Sequence, residues 1–98
     1  MPEADPDHIR LSLPADADLR TVVEVAVAVV ARRLGLPDAE VAAARTATGD
    51  AFIELTNADG DEPVELDIAL EHRRMVTRLR RGGNEANVIA PAGSSVPF

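Results

Sequence analysis

Two stretches of the chain alternate between polar and apolar residues with the two-residue period of a half-buried strand. His8-Ile9-Arg10-Leu11-Ser12-Leu13 does so until Pro14 ends it. Val64 to Glu71 places apolar residues at even positions and mostly acids at odd ones, the clearest strand pattern in the chain. His72-Arg73 reads as a turn and Arg74 to Arg80 as the return strand of a hairpin. On the solvent face of that hairpin, Glu65, Asp67 and Glu71 are expected to oppose Arg74, Arg78 and Arg80. Gly82-Gly83-Asn84 then breaks the strand.

Between the strands the period lengthens to that of helices. The first helix is expected from Asp18 to Leu34, with Asp16 and Asp18 as N-cap candidates, and Leu19, Val22, Val23, Ala26, Val29, Val30 and Leu34 as its inner stripe. Arg32 and Arg33 suit its last turn, and Gly35 the left-handed position just beyond. Val25 and Val27 lie off the stripe, so the helix is apolar over more than half its circumference. That implies either a broad stripe in a tightly packed domain or a second buried contact. Val25, Val27 and Arg32 are the candidate partner-binding residues, and a homodimer is the expected assembly.

The second helix is expected from Asp38 to about Asn57, starting after Leu36-Pro37. Val41, Ala44, Thr48, Ala51, Phe52 and Leu55 form one apolar stripe, while Asp50, Glu54 and Asn57 line up on another face. Gly49 sits in mid-helix, where glycine costs about 1 kcal/mol against alanine, which calls for close packing or a close ligand. Residues 58–63 read as a loop. Residues 1–7 are expected to be disordered, 8–83 to form the domain, and 84–98 to be a disordered or extended tail whose Val88, Ile89, Val96 and Phe98 dock on an apolar surface. The expected fold is an α+β two-layer sandwich in the order β-α-α-β-β, an antiparallel-rich sheet with both helices on one face.

Composition narrows the chemistry. Ninety-eight residues make one domain. The longest apolar run, Val22 to Ala31, is interrupted by Glu24 and too short to span a bilayer, and the acidic N-terminus is unlike a secretory signal, so no membrane and a cytoplasmic location are expected. The chain has no cysteine, which removes disulfides and thiolate metal sites. Net charge is −7, and the five arginines of residues 73–81 have no aromatic residues interleaved, so nucleic acid is not an expected partner. His8 and His72 have no second ligand at metal spacing, and the serines have no base nearby in sequence. The ridge of Asp50, Glu54 and Asn57 leaves a small divalent-metal site as one alternative.

Ile9-Arg-Leu-Ser-Leu-Pro-Ala, a helix ending Arg33-Leu34-Gly35-Leu36, and Val41-Ala-Ala-Ala-Arg-Thr-Ala-Thr-Gly-Asp-Ala-Phe-Ile-Glu-Leu-Thr-Asn together resemble the small anti-sigma-factor serine kinases of the histidine-kinase-like (GHKL) ATPase fold. The resemblance covers residues 8–83 and implies the following. The family's acid falls on Asp50, and the amide that binds the magnesium of ATP falls on Glu54, which adds negative charge beside a triphosphate. The aspartate that anchors adenine falls on Arg81, a donor where an acceptor is needed, with Gly83 as the surviving glycine. A lid, a second glycine-rich box and a closing strand would follow, but only residues 84–98 do. The pocket of Asp50, Glu54, Arg81 and Gly83 is therefore expected to be degenerate. The expected function is a non-catalytic, anti-sigma-like regulator, with no cofactor and with a sigma factor or its anti-anti-sigma antagonist as partner. The alternative is an ATP-dependent serine/threonine kinase using ATP and Mg, with Asp50 as catalytic base and Glu54 at the metal.

Overall fold

A computed structural model describes residues 8–71 and 74–90. It comprises β1 (His8–Leu13), a single 3₁₀ turn (Ala17–Leu19), α1 (Arg20–Arg33), α2 (Asp38–Thr56), β2 (Val64–Glu71), β3 (Arg74–Arg81) and β4 (Asn84–Ala90). The strands form one sheet in the order β1-β2-β3-β4, each antiparallel to its neighbour. The fold is thus α+β: two helices and a four-stranded antiparallel sheet.

Register follows from the alternation. Leu66 opposes Leu79, Ile68 opposes Thr77 and Leu70 opposes Met75, so one face of the central hairpin is apolar. That face carries the core, where Val64, Leu66, Ile68, Met75 and Leu79 meet Val23, Val27 and Ala31 of α1 and Val41, Ala44, Phe52 and Leu55 of α2. Phe52 is fully buried and contributes about 3 kcal/mol by its removal from water. The register also sets the expected positions opposite one another: Glu65 across from Arg80, Asp67 across from Arg78 and Glu71 across from Arg74. Arg10 extends the Asp67 row onto β1 at 3.6 Å, and Ser12 donates to Glu65 at 3.1 Å.

Local signals set the ends of the helices. Asp16 Oδ1 accepts the backbone N–H of Asp18 and caps the 3₁₀ turn leading into α1. At the other end, Gly35 takes φ +80°, its N–H donates to Arg32 O, and Leu36 N–H donates to Ala31 O. These two bonds satisfy carbonyls that α1 would otherwise leave open.

Two expectations are corrected. Val22 and Val29, expected inside, are 43% and 49% exposed, whereas Val27, expected among the partner-binding residues, is fully buried. The reason is Glu24, the one charged residue between Thr21 and Ala31, which faces α2 rather than solvent and so turns the buried arc of α1. The second concerns residues 84–90, expected outside the domain as a disordered or extended tail: they are extended and pair with β3 as a fourth strand of the sheet. Gly82, at φ +59°, and Gly83 make a two-residue turn from β3 into β4. Ala90 is buried and closes the core beside Met75. Residues 1–7, the turn at 72–73 and the docking residues Val96 and Phe98 lie outside the described residues.

Candidate functional site

The polar ridge of α2 belongs to an interhelix charge cluster. Arg20, at the start of α1, reaches across to α2, where its Nη2 donates to Asp50 Oδ1 at 2.8 Å. Its Nε donates to Glu24 Oε2 at 2.7 Å, one turn along α1, and Arg45 Nη2 lies 3.7 Å from the other oxygen of Glu24. Gly49 makes this crossing possible. A Cβ there would stand 2.6 Å from Arg20 Nε and 2.7 Å from Glu24 Oε2, so the guanidinium rests directly on the glycine backbone. Hydrogen bonds to Glu24 and then to Asp50 raise the Arg20 guanidinium above its ordinary value. The associated stabilisation is complete below the ordinary arginine value and is lost only as pH climbs through the raised one. Near neutrality the arginine therefore stays charged, and Asp50 has a fixed cation beside it.

Glu54 and Asn57 continue along the same helix but are exposed, and Asn57 is the residue that caps its C-terminus. Among the described residues, no group of three or more His, Asp and Glu side chains gathers as metal ligands.

Arg81 has the most distinctive surroundings of the candidate residues. It ends β3 on the apolar face, after Met75, Thr77 and Leu79, and is 4% exposed. Its guanidinium fans out over the end of α2 and the loop that follows. Nε donates to Glu62 O at 2.8 Å, Nη1 to Leu55 O at 2.9 Å and to Ala58 O, and Nη2 to Gly60 O at 2.6 Å. A planar fork of donors suits four carbonyls spread around a turn, and each bond is strengthened by the charge. Arg81 thus acts as a structural cation that gathers residues 55–62. Strand parity, which puts position 81 on the inner face, is the sequence signal that distinguishes it from the solvated arginines Arg74, Arg78 and Arg80.

The four residues of the implied nucleotide pocket do not converge. Asp50 faces Arg20, and Arg81 borders a cavity of about 420 Å³ with Ser12 to Ala15 and Gly60 to Pro63, which includes neither Asp50 nor Glu54. Gly83 lies in the exposed β3–β4 turn with nothing within 4 Å of where a side chain would start. At the positions where the resemblance implies an adenine anchor, a metal amide and a lid, the structure holds respectively a guanidinium bonded to backbone carbonyls, an exposed carboxylate and a tight turn. In the core, the hydroxyls of Thr48 and Thr77 are buried without a hydrogen-bond partner, which costs about 1–3 kcal/mol for each such group. Compared with protein-family models, curated proteins and solved structures, the chain matches none of them.

Proposed function

We propose that this chain is a non-catalytic regulator that works through protein contacts on a scaffold resembling the anti-sigma-factor serine kinases, with a sigma factor or a sigma-factor antagonist as its partner. The observation that carries the loss of nucleotide chemistry is Arg81. At the position where the resemblance implies an adenine acceptor, its guanidinium is turned into the fold and held by the carbonyls of Leu55, Ala58, Gly60 and Glu62. The direct turn into β4 supports the same reading, because it leaves no room in the chain for a lid between residues 81 and 84. The element order and the two helices layered on one face of the sheet support the scaffold. In this reading Asp50 ties α2 to α1 and does not act as a base.

One series of amide NMR titrations tests the proposal. Mg-ATP at millimolar concentration is expected to leave the resonances of residues 50–57 and the melting temperature unmoved. A purified sigma factor, or its antagonist, is expected to shift or broaden peaks on the helical layer. A rise of several degrees with Mg-ATP, as mass action requires for a ligand of the native state, would revive the kinase. Silence with both protein partners would sink the regulator.

A further inference from the structure

Among the described residues, β4 pairs only with β3 and stands at the edge of the sheet. Across the two-residue turn, Arg81 and Asn84 form the bonded pair that closes a hairpin. The alternation of an antiparallel ladder then turns the N–H and C=O groups of Glu85, Asn87 and Ile89 outward, toward the free side. The opposite edge is blunted, since β1 carries Arg10, whose side chain is 77% exposed, and runs into Pro14. β4 holds neither a proline nor a cation. Beside its free side lies a groove of about 80 Å³, with Ala43 and Ala47 of α2 on one wall, Val88 to Ala90 on the other, and Glu40 in the lining.

Helical spacing places Glu54 on the same flank of α2 as Ala43 and Ala47. Arg81 Nη1 on Leu55 O sets the direction: α2 runs against β4, with Glu40 toward Ala90 and Glu54 toward the β3–β4 turn. Glu54 is exposed in the last turn of the helix, where the dipole disfavours an acid, and among the described residues it makes no ion pair. The one cation of α2, Arg45, faces Glu24 of α1 instead. Edge, groove and charge together specify an occupant. Only another extended backbone presents donors and acceptors at the spacing of the β4 edge. Its inward side chains meet two alanines in a small groove, so they are small and aliphatic. Its ends meet Glu40 and Glu54, so they are basic, and the separation of about 21 Å along the helix is spanned by about seven residues of strand. We infer that the β4 edge and the Glu40–Glu54 flank of α2 take up an extended peptide of a partner protein as a fifth strand, small and aliphatic at its centre and basic at its ends. This goes beyond the regulator reading and does not depend on it.

The probe is the capped peptide Lys-Thr-Val-Thr-Val-Thr-Lys, whose lysines and valines share one face, followed by amide NMR of the full chain. At millimolar peptide, the amides of Glu85, Asn87 and Ile89 are expected to shift and their hydrogen exchange to slow severalfold. The same peptide N-methylated at its threonines and valines, which removes the donors, should leave them unmoved. Ala47→Phe, at an exposed position, fills the groove and should abolish binding with an unchanged circular dichroism spectrum. Glu54→Gln should weaken binding about threefold. Edge amides unmoved by the unmethylated peptide overturn the inference, as does equal binding of the methylated one. Native-like binding by both Ala47→Phe and Glu54→Gln overturns the placement beside α2. Edge amides that exchange slowly before peptide is added assign the edge to residues 91–98, and edge amides that shift with chain concentration assign it to a second copy; either result overturns the peptide site.

Discussion

Arg81 shows how much structure one side chain can hold when it is placed on the inner face of a strand. Its four carbonyl partners come from the last turn of α2 and the loop leading to β2, a segment with few apolar residues of its own. Arg81→Met keeps the length and apolar stem but takes the charged donors from all four carbonyls, leaving Leu55 O with the long bond from Ala58 N–H at 3.4 Å. The expected loss is about 3 kcal/mol or more, read from urea unfolding midpoints at constant slope. Arg81→Lys is expected to lose less, because an ammonium offers three donors from one point and cannot span the fan. A native midpoint for Arg81→Met would show that the fan does not carry the loop. Both features behind this role, the inward parity and the carbonyl-rich Asp-Gly loop, are visible in the chain. Their meeting is not, because residues 55 and 81 come together only when β2 pairs with β3 and α2 packs on the sheet.

At the scale of elements, the contact between α1 and α2 depends on Gly49. Alanine at that position gains helix propensity but drives a methyl into the Arg20 guanidinium. Gly49→Ala is therefore expected to stabilise by about 1 kcal/mol in an Arg20→Ala, Glu24→Ala background, which removes both side chains that the methyl would meet, and to stabilise less, or to destabilise, in the native one. Urea unfolding of the four proteins of this cycle measures the difference. Equal effects in both backgrounds would mean that the guanidinium does not rest on the glycine. The elements themselves were legible where periodicity was strong. The bounds of β1 and β2 and the left-handed Gly35 followed from alternation and capping chemistry, and the glycine in mid-helix announced a close approach without saying to what. The face of α1 was not legible, since valine and alanine occur all around it and its single acid points to the neighbouring helix. β4 was hidden for a related reason: Asn84 to Ala90 has small, mixed side chains, and a glycine pair reads equally as a strand break or as a tight turn.

At the scale of the molecule, only one part of the sheet needs distant segments to meet. β2–β3 and β3–β4 are hairpins, and α1–α2 is a local pair, but β1 joins the sheet across both helices, with Ser12 and Glu65 53 positions apart. Closing so long a loop costs entropy before any pairing returns it. β1 is therefore expected to dock after the hairpins. Leu11→Ala should mainly speed unfolding, while Leu79→Ala in the central hairpin should also slow folding, as separated by stopped-flow measurements in urea. A Leu11→Ala chain that folds slower in proportion to its lost stability would reverse that order. The same topology decides what a partly opened molecule shows its neighbours. When β1 leaves, the uncovered edge belongs to β2, and Glu65 and Asp67 lose Ser12 and Arg10 as partners. The strand edge that would otherwise recruit other chains then presents Glu65 and Asp67, on a protein whose net charge is already −7. Transient opening thus exposes an edge that bears acids, and charged side chains on an edge strand discourage aggregation during the interval when the sheet is incomplete.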